Sequence, residues 1–320
     1  MTIVVFGSIN MDLVVRTPRL PTPGETLTGH TFFTAPGGKG ANQAVACARL
    51  GALTRMVGRV GDDLFGEQLR ISLRSAGVQD DDVLTTPGPS GVALIAVDDA
   101  AENTIVIVPG ANGAVSIEDI PRLKRALDGA HTLLLQLETP LATVVAAARA
   151  ARARGVTVIL DPAPALPLPD ELYTLADILT PNESEAATLT GMPVHDEQSA
   201  AAAARALTAR GARTVIIKLG ARGALTGDAH GERLWAPFTV TPVDTVAAGD
   251  AFNGGLAVAL SEGRSFEEAM QWGLAAGALS VTRPGAQLSM PDRQELLALL
   301  EARPPAPPPP TKQGDIRGED

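Results

Sequence analysis

The stretch Thr241-Pro-Val-Asp-Thr-Val-Ala-Ala-Gly-Asp-Ala-Phe-Asn-Gly-Gly255 decides how the chain around it folds. A β-like run, Trp235 to Val243, leads into it, and Phe252, Leu256, Val258, Ala259 and Leu260 follow at helical spacing. That order predicts a strand-to-helix turn at Ala247, Ala248 and Gly249 and a helix from Asp250 to Glu262. No bulky side chain blocks the turn, so backbone N–H groups at an electropositive helix N-terminus can approach an anion there. Two acids, Asp244 and Asp250, frame it. An acid in a first helical turn is also an ordinary cap, so this stretch alone leaves a capped helix and a phosphate site both open.

Outward from the turn, the chain alternates strands and helices. Ile3 to Phe6 is a continuous apolar run ending at Gly7-Ser8, as expected of a parallel strand buried on both faces, which puts Asn10 near a strand's carboxyl end. Further on come strand Thr54 to Gly58 with a loop from Val60 to Asp63, helix Phe65 to Ala76 closed by Gly77, and strand Thr132 to Leu137. Helix Leu141 to Arg154 is closed by Gly155, and helix Gln198 to Arg210 by Gly211. Strands Val156 to Leu160, Ile178 to Thr180 and Thr214 to Leu219 complete the series, with Asp161-Pro-Ala-Pro-Ala165 opening a loop. This spacing predicts an α/β fold of Rossmann type, a mostly parallel sheet with helices on both faces. Two excursions leave it, about 11–34 and 91–108. The second, Val92 to Val97 and Thr104 to Val108 around a turn, predicts a hairpin, and together they make a small separate β-sheet. A single domain over 1–302 is expected, followed by a Pro-rich, disordered tail at 303–320.

Composition removes several classes of function. The net charge of −10 argues against a polynucleotide partner, and no apolar run approaches the roughly 20 residues of a membrane span, so a cytoplasmic protein is expected. Cys47 is the lone cysteine, in the apolar pattern Ala44, Val45, Cys47, Ala48, and reads as a buried inert thiol. His30, His131, His195 and His230 lack metal-ligand spacing.

Three further segments carry chemistry. Gly37-Gly38-Lys39-Gly40-Ala41-Asn42 lacks the spacing of a phosphate-binding P-loop, but its glycines lead into a helix starting at Asn42 and leave the backbone open to close approach. The amide of Asn42 offers a donor and an acceptor together, as do Asn10 and Asp12 between them across the first strand's end, which suits sugar hydroxyls. Thr180-Pro-Asn-Glu-Ser-Glu185 sets Asn182 and Glu185 three apart at a helix start, either as a cap or, with ordered waters, as a magnesium site. Lys218-Leu-Gly-Ala-Arg-Gly223 is a small-residue turn after an apolar strand, either a β-turn or a nucleotide-contacting loop.

Together with Gly7-Ser-Ile-Asn-Met-Asp12, Pro23-Gly24-Glu25-Thr26 and Gln136-Leu-Glu138, these segments resemble the ribokinase family of carbohydrate kinases from residue 3 to about residue 300. The glycine-lysine segment and Asp244-Thr-Val-Ala-Ala-Gly-Asp250 are the two signatures of the family, present in order. The first of them, with Ser8-Ile-Asn-Met-Asp12, is closer to the ribose-phosphorylating members than to fructokinase or adenosine kinase relatives.

The resemblance implies transfer of the ATP γ-phosphoryl group to the 5-hydroxyl of ribose. Asp250 matches the catalytic base; its pKa is expected to be low, which is no obstacle where the proton moves late. The N–H groups of Ala247, Ala248 and Gly249 match an anion hole. Asn10, Met11, Asp12, Gly38, Lys39, Gly40, Ala41, Asn42 and Glu138 match sugar-binding positions. Asn182, Lys218, Leu219, Gly220, Ala221, Arg222, Gly223, Gly249, Asp250 and Leu274 match nucleotide-binding ones, and Glu185 a water-mediated magnesium contact. A potassium ion is implied at Asp244, Val246, Ser280, Arg283, Gly285 and Ser289. The β excursions are implied to form a lid over the sugar and to pair two subunits as a homodimer. Lys218 and Leu274 depart from the family's usual small hydroxyl and polar residue, leaving nucleotide preference less defined than sugar preference. Other readings are a deoxyribose, fructose or nucleoside kinase, or a non-catalytic sugar-sensing relative, which a missing base would favour; Asp250 is present. A nicotinamide-dependent oxidoreductase needs G-x-G-x-x-G after the first strand, which Gly7-Ser8-Ile9-Asn10 is not.

Overall fold

The computed structural model describes residues 1–100 and 102–302; the Pro-rich tail at 303–320 lies outside the described residues. Strand β1 (Thr2–Phe6) leads to β2 (Asn10–Arg16) and β3 (Thr31–Gly37), then α1 (Lys39–Arg49), β4 (Leu53–Gly61), α2 (Leu64–Ser75) and β5 (Val83–Thr86). The hairpin β6 (Gly91–Val97) and β7 (Asn103–Val108) precedes α3 (Ile120–Ala126), β8 (Ala130–Leu135), α4 (Leu141–Arg152), β9 (Thr157–Leu160), α5 (Asp170–Leu175) and β10 (Ile178–Leu179). After α6 (Glu183–Thr190), α7 (Glu197–Ala209) and β11 (Thr214–Lys218) come β12 (Ala224–Asp228) and β13 (Gly231–Trp235), then α8 (Ala248–Ser261), α9 (Phe266–Ser280) and α10 (Arg293–Glu301).

The main sheet runs β13-β12-β11-β10-β9-β8-β1-β4-β5, parallel from β11 to β5 and antiparallel at β12 and β13. Its strands alternate side chains between two apolar layers: Ile3 and Val5 enter the layer under α1, α8 and α9, whereas Val4 and Phe6 enter the one under α3, α4 and α7. Burial on both faces explains why these strands read as unbroken apolar runs. The small sheet, β3-β2-β6-β7, stands apart, with β2 and β3 paired from Asn10–Gly37 to Arg16–Thr31. Among the described residues no helix is long and apolar enough to cross a membrane.

Four expectations need correction. The run Trp235 to Val243 is not a strand beyond Trp235, because Pro237 and Pro242 lack the N–H a ladder needs and the segment instead walls a cavity. Helix α8 starts at Ala248, so Asp250 lies within its first turn. Helix α1 starts at Lys39 and not at Asn42, since Gly40 packs against Gly7 and Ser8 and the Ala41 N–H donates to the Ser8 carbonyl at 2.9 Å. Val60 and Gly61 belong to β4, where Gly61 pairs with Thr86 of the edge strand β5.

Candidate active site

Helices α1 and α8 bring the glycine-lysine segment against the acidic turn. Asp250 is buried, its Oδ2 accepting from Asn42 Nδ2 at 3.0 Å and its Oδ1 from Gln43 Nε2 at 3.0 Å. Burial first, then the charge of Asp161, pushes the Asp250 carboxyl up to about 6, against the opposing pull of Lys39, Asn42 and Gln43. The low pKa expected of this acid is thereby corrected: desolvation outweighs the donors. Burial works against the charge of Lys39, yet the carboxylates of Asp250, Asp161, Glu138 and Glu185 hold its pKa above the ordinary value.

The turn before α8 is strained. Ala247, the helix N-cap, has φ 61° and is the one non-glycine with positive φ among the described residues. An alanine in the left-handed region costs about 1–2 kcal/mol. Ala247, Ala248 and Gly249 line the cavity beside Asp250 at the start of α8, with the Ala248 N–H 3.4 Å from the Thr245 carbonyl.

One side of Asp250 holds groups suited to hydroxyls. Glu138 Oε2 accepts from Ser8 Oγ at 2.5 Å, from the Lys39 N–H at 3.2 Å and from Asn10 Nδ2 at 3.4 Å. Asn112 fixes Asn10, donating to its Oδ1 at 2.7 Å while bracketing the backbone of Ile9. Asp12 projects beside Gly37, where an added Cβ would stand 2.6 Å from its Cγ, and its carboxyl is pushed up to about 7 by burial, Glu138 and Asp250. Buried Asn42 Oδ1 has no protein partner, an acceptor matched to a ligand hydroxyl. Gly38, at φ 89°, leaves no room for a side chain: a Cβ would meet the Asn10 amide nitrogen at 2.7 Å.

The other side opens into a cavity of about 620 Å³ whose walls include Asn182, Glu185, Lys218, Gly220, Ala221, Gly223, Phe238, Val240, Gly249 and Leu274. Gly220 and Gly223 have φ 57° and 89°, which bare the loop backbone after β11. Lys218 does not reach for solvent: its Nζ lies 2.9 Å from Asp161 Oδ1, and an added Cβ on Gly249 would stand 3.1 Å from it. Asn182 and Glu185 form a reciprocal helix cap, Oδ1 accepting from the Glu185 N–H at 2.8 Å and Oε2 from the Asn182 N–H at 2.7 Å. Burial leads the causes that raise the Glu185 pKa.

Beside the turn, the Asp244 carboxylate accepts from the Val246 N–H at 3.0 Å and the Gly285 N–H at 2.9 Å, and the Val243 N–H donates to the Val281 carbonyl at 2.7 Å. These bonds draw the 244–246 and 280–289 segments together. Arg283 turns its side chain to Glu295 at 3.0 Å, and Ser280 and Ser289 are buried.

Several expected site residues stand elsewhere. Met11, Ala41 and Leu219 are buried in the apolar layers, Gly40 packs against the backbone of Gly7 and Ser8, and Arg222 pairs with Glu183 outside the cavity wall. Sequence reasoning missed Asp161, Gln43, Ser8, Asn112 and the wall at Phe238 and Val240. For Asp161 a signal existed, since it directly follows β9 at the carboxyl edge of the sheet, where open α/β folds place ligands.

Acids and amides suited to hydroxyls on one side of Asp250, and a small-residue, lysine-bearing wall on the other, match the two halves of a phosphotransferase acting on a polyol. The chain belongs to the pfkB family of carbohydrate kinases: residues 1–293 match the family described as pfkB family carbohydrate kinase. It is 46% identical over 301 residues to a ribokinase of Haemophilus influenzae, covering 94% of this chain and 98% of that one. A deoxyribokinase of Salmonella typhi is 40% identical, over 92% of this chain and 97% of its own. A structure of Arabidopsis thaliana ribokinase complexed with ribose and ATP superposes with TM-score 0.86 at 37% identity, covering 93% of this chain and 98% of that one. The protein is a sugar kinase with the fold of those ribokinases.

Proposed function

We propose that this chain transfers the γ-phosphoryl group of ATP to the 5-hydroxyl of D-ribose, giving ribose 5-phosphate and ADP. The observation that carries it is the buried Asp250, held by Asn42 and Gln43 between the hydroxyl-binding cluster and the cavity. In this reading the hydroxyl oxygen forms the new O–P bond while the β–γ bridging P–O bond breaks toward ADP, and Asp250 takes the hydroxyl proton late. Asp12, Glu138, Asn10 and Asn42 bind and orient the sugar. Lys39 and Lys218 face the phosphoryl charge, and the amides after Ala247 receive it. The cavity around Gly220, Gly223 and Leu274 takes the nucleotide.

The residues fit the implied ions. Among the described residues no three His, Cys, Asp or Glu side chains group to hold a metal, so magnesium would rest on Glu185 and Asn182 through waters and on the nucleotide phosphates. Magnesium supplies charge neutralisation on those phosphates. Asp244 and the Ser289 hydroxyl, with the backbone carbonyls of Val246, Ser280, Arg283 and Gly285, would supply an all-oxygen set suited to potassium, which would brace the turn.

The small sheet would act as a lid that excludes water from the transfer. Its exposed Phe32, Leu94 and Val106, which share one side of the sheet, are the face on which a second copy would pair. The cytoplasm, where ATP is made, is the compartment that goes with this reading.

The test is ADP release with ribose, deoxyribose, fructose and adenosine, with Asp250→Asn as control. Ribose is expected to give the highest kcat/KM. A preference for deoxyribose, as in the Salmonella relative's name, would replace the sugar but keep the chemistry. Full activity of Asp250→Asn would overturn the mechanism.

A further inference from the structure

We propose that Asp161 and Gln43 are positioning residues for the transfer step: one carboxylate and one amide that hold the acceptor-side base and the phosphate-side lysine in a fixed relation. The proposal rests on the phosphotransferase reading above.

Gln43 Nε2 carries two N–H donors, and the structure supplies two acceptors for them, Asp250 Oδ1 and Asp161 Oδ2, each at 3.0 Å. Its carbonyl oxygen accepts from Gln136 Nε2 at 2.6 Å. Reversing the Gln43 amide would set its oxygen against two carboxylates, so Asp250 and Asp161 fix the orientation and Gln136 donates to the oxygen it leaves. Gln43, Gln136 and Asp161 are all buried, with relative exposures of 0%, 0% and 2%. In such surroundings an unmade hydrogen bond is costly and a made one rigid.

The second oxygen of Asp161 takes Lys218 Nζ at 2.9 Å, with Gly249 immediately beyond. The order is therefore Gln136, Gln43, then Asp250 on one branch and Asp161 with Lys218 on the other. Without this pair Asp250 would be held by Asn42 alone and drawn toward Lys39, and Lys218, on a flexible four-carbon stem, would lose the carboxylate that pairs with it. Because in-line transfer depends on the base and the phosphate-side charge being in register, an error of about 1 Å at either end costs about 100-fold in rate.

The experiment measures kcat and both KM values for Asp161→Asn, Gln43→Met, Lys218→Met and their pairs, using the sugar that the wild-type protein phosphorylates best. Asp161→Asn and Gln43→Met should each lower kcat about 10- to 100-fold while leaving the sugar KM within about threefold. Lys218→Met should also raise the ATP KM. In each pair the losses should fall short of the product of the singles, because one chain of contacts is broken twice. A kcat within twofold of wild type for Asp161→Asn or Gln43→Met, or losses that multiply, overturns the proposal. If Asp161→Asn does not fold by circular dichroism, Gln43→Met with Lys218→Met carries the same decision, since those two residues are joined through Asp161. A wild-type protein that phosphorylates no sugar sinks the activity and this proposal together; an active wild type with indifferent variants sinks this proposal alone.

Discussion

Adding one methyl group at Gly254, 4 residues beyond Asp250, should disable the site without unfolding the protein. Helices α1 and α8 meet along two successive turns: Asn42 faces Asp250 at 3.0 Å, and one turn on Ala46 faces Gly254. A Cβ on Gly254 would lie 2.5 Å from the Ala46 Cβ and 3.3 Å from the Ala46 carbonyl carbon. Carbon atoms rest at about 3.5–4.0 Å, so the helices must part by about 1 Å at that crossing. Both are rigid, and the Asn42–Asp250 bond one turn away lengthens with them. Overpacking costs about 1–3 kcal/mol, of which alanine's better helix propensity returns about 0.8–1. The net loss of stability is thus at most about 2 kcal/mol, whereas kcat should fall about 100-fold. Thermal melts and steady-state ADP release separate the two. The decisive variant is Gly254→Ala with Ala46→Gly, which removes the opposing methyl: kcat should recover most of its loss although the glycine costs about 1 kcal/mol more stability. Activity of Gly254→Ala within about threefold of wild type, or no recovery in the double variant, would refute the link between helix spacing and the catalytic hydrogen bond.

The sugar-saturated rate should fall below pH about 6, since a protonated Asp250 cannot take the hydroxyl proton; Lys39→Met should shift that limb to higher pH, because Lys39 is the strongest influence favouring ionised Asp250. At the αL position, Ala247→Gly should leave the melting temperature nearly unchanged, relief of strain offsetting chain entropy, while Ala247→Val should lower both melting temperature and kcat. Rates compared in potassium-only, sodium-only and monovalent-free buffers should be highest in potassium; equal rates would remove the cation from Asp244. Phe32→Glu should convert a dimer to a monomer in sedimentation velocity, and an unchanged species would exclude the lid face as the contact.

What could be read from the sequence was governed by whether the signal was local. The runs at Ile3 to Phe6 and Val156 to Leu160 declare strands buried on both faces, and Gly77, Gly155 and Gly211, all with positive φ, declare helix ends. The hairpin β12–β13 was silent because its second strand, Gly-Glu-Arg-Leu-Trp, is largely exposed and lacks an apolar period. The stretch Ala236 to Val243 misled in the other direction, its β-like side chains lining a cavity where prolines forbid a ladder. Acid and amide types at Asn10, Asp12, Asn42 and Glu138 were visible as chemistry. Asp161 carried only its position after an apolar strand, because its partner Gln43 is 118 residues away and its own neighbours spell a proline turn. The raised pKa of Asp250 was equally out of reach, since it follows from burial that only the closed fold creates.

That burial bears on the sugar side most directly. Asp12 and Glu138 stand together beside Asp250, and the Asp12 carboxyl is pushed up to about 7 by burial, then by Glu138 and Asp250. Sugar hydroxyls donating to Asp12 favour its ionised form, so binding must lower this pKa and expel the proton that part of the population carries. Without sugar, the folded state holds protons that the unfolded chain releases above about 4, and its stability declines as pH climbs from there to about 7. Sugar should reverse that decline, and its affinity should rise with pH through about 7 and level off above it. Calorimetric titration of ribose at pH 7, in two buffers of different ionisation enthalpy, should report release of about half a proton per site. Asp12→Asn should bind ribose more weakly with no buffer-dependent heat. An observed enthalpy independent of buffer in the wild-type protein, or a sugar KM flat between pH 6 and 8, would mean that Asp12 meets the sugar already ionised and that the acidic cluster is neutralised by something other than its ligand.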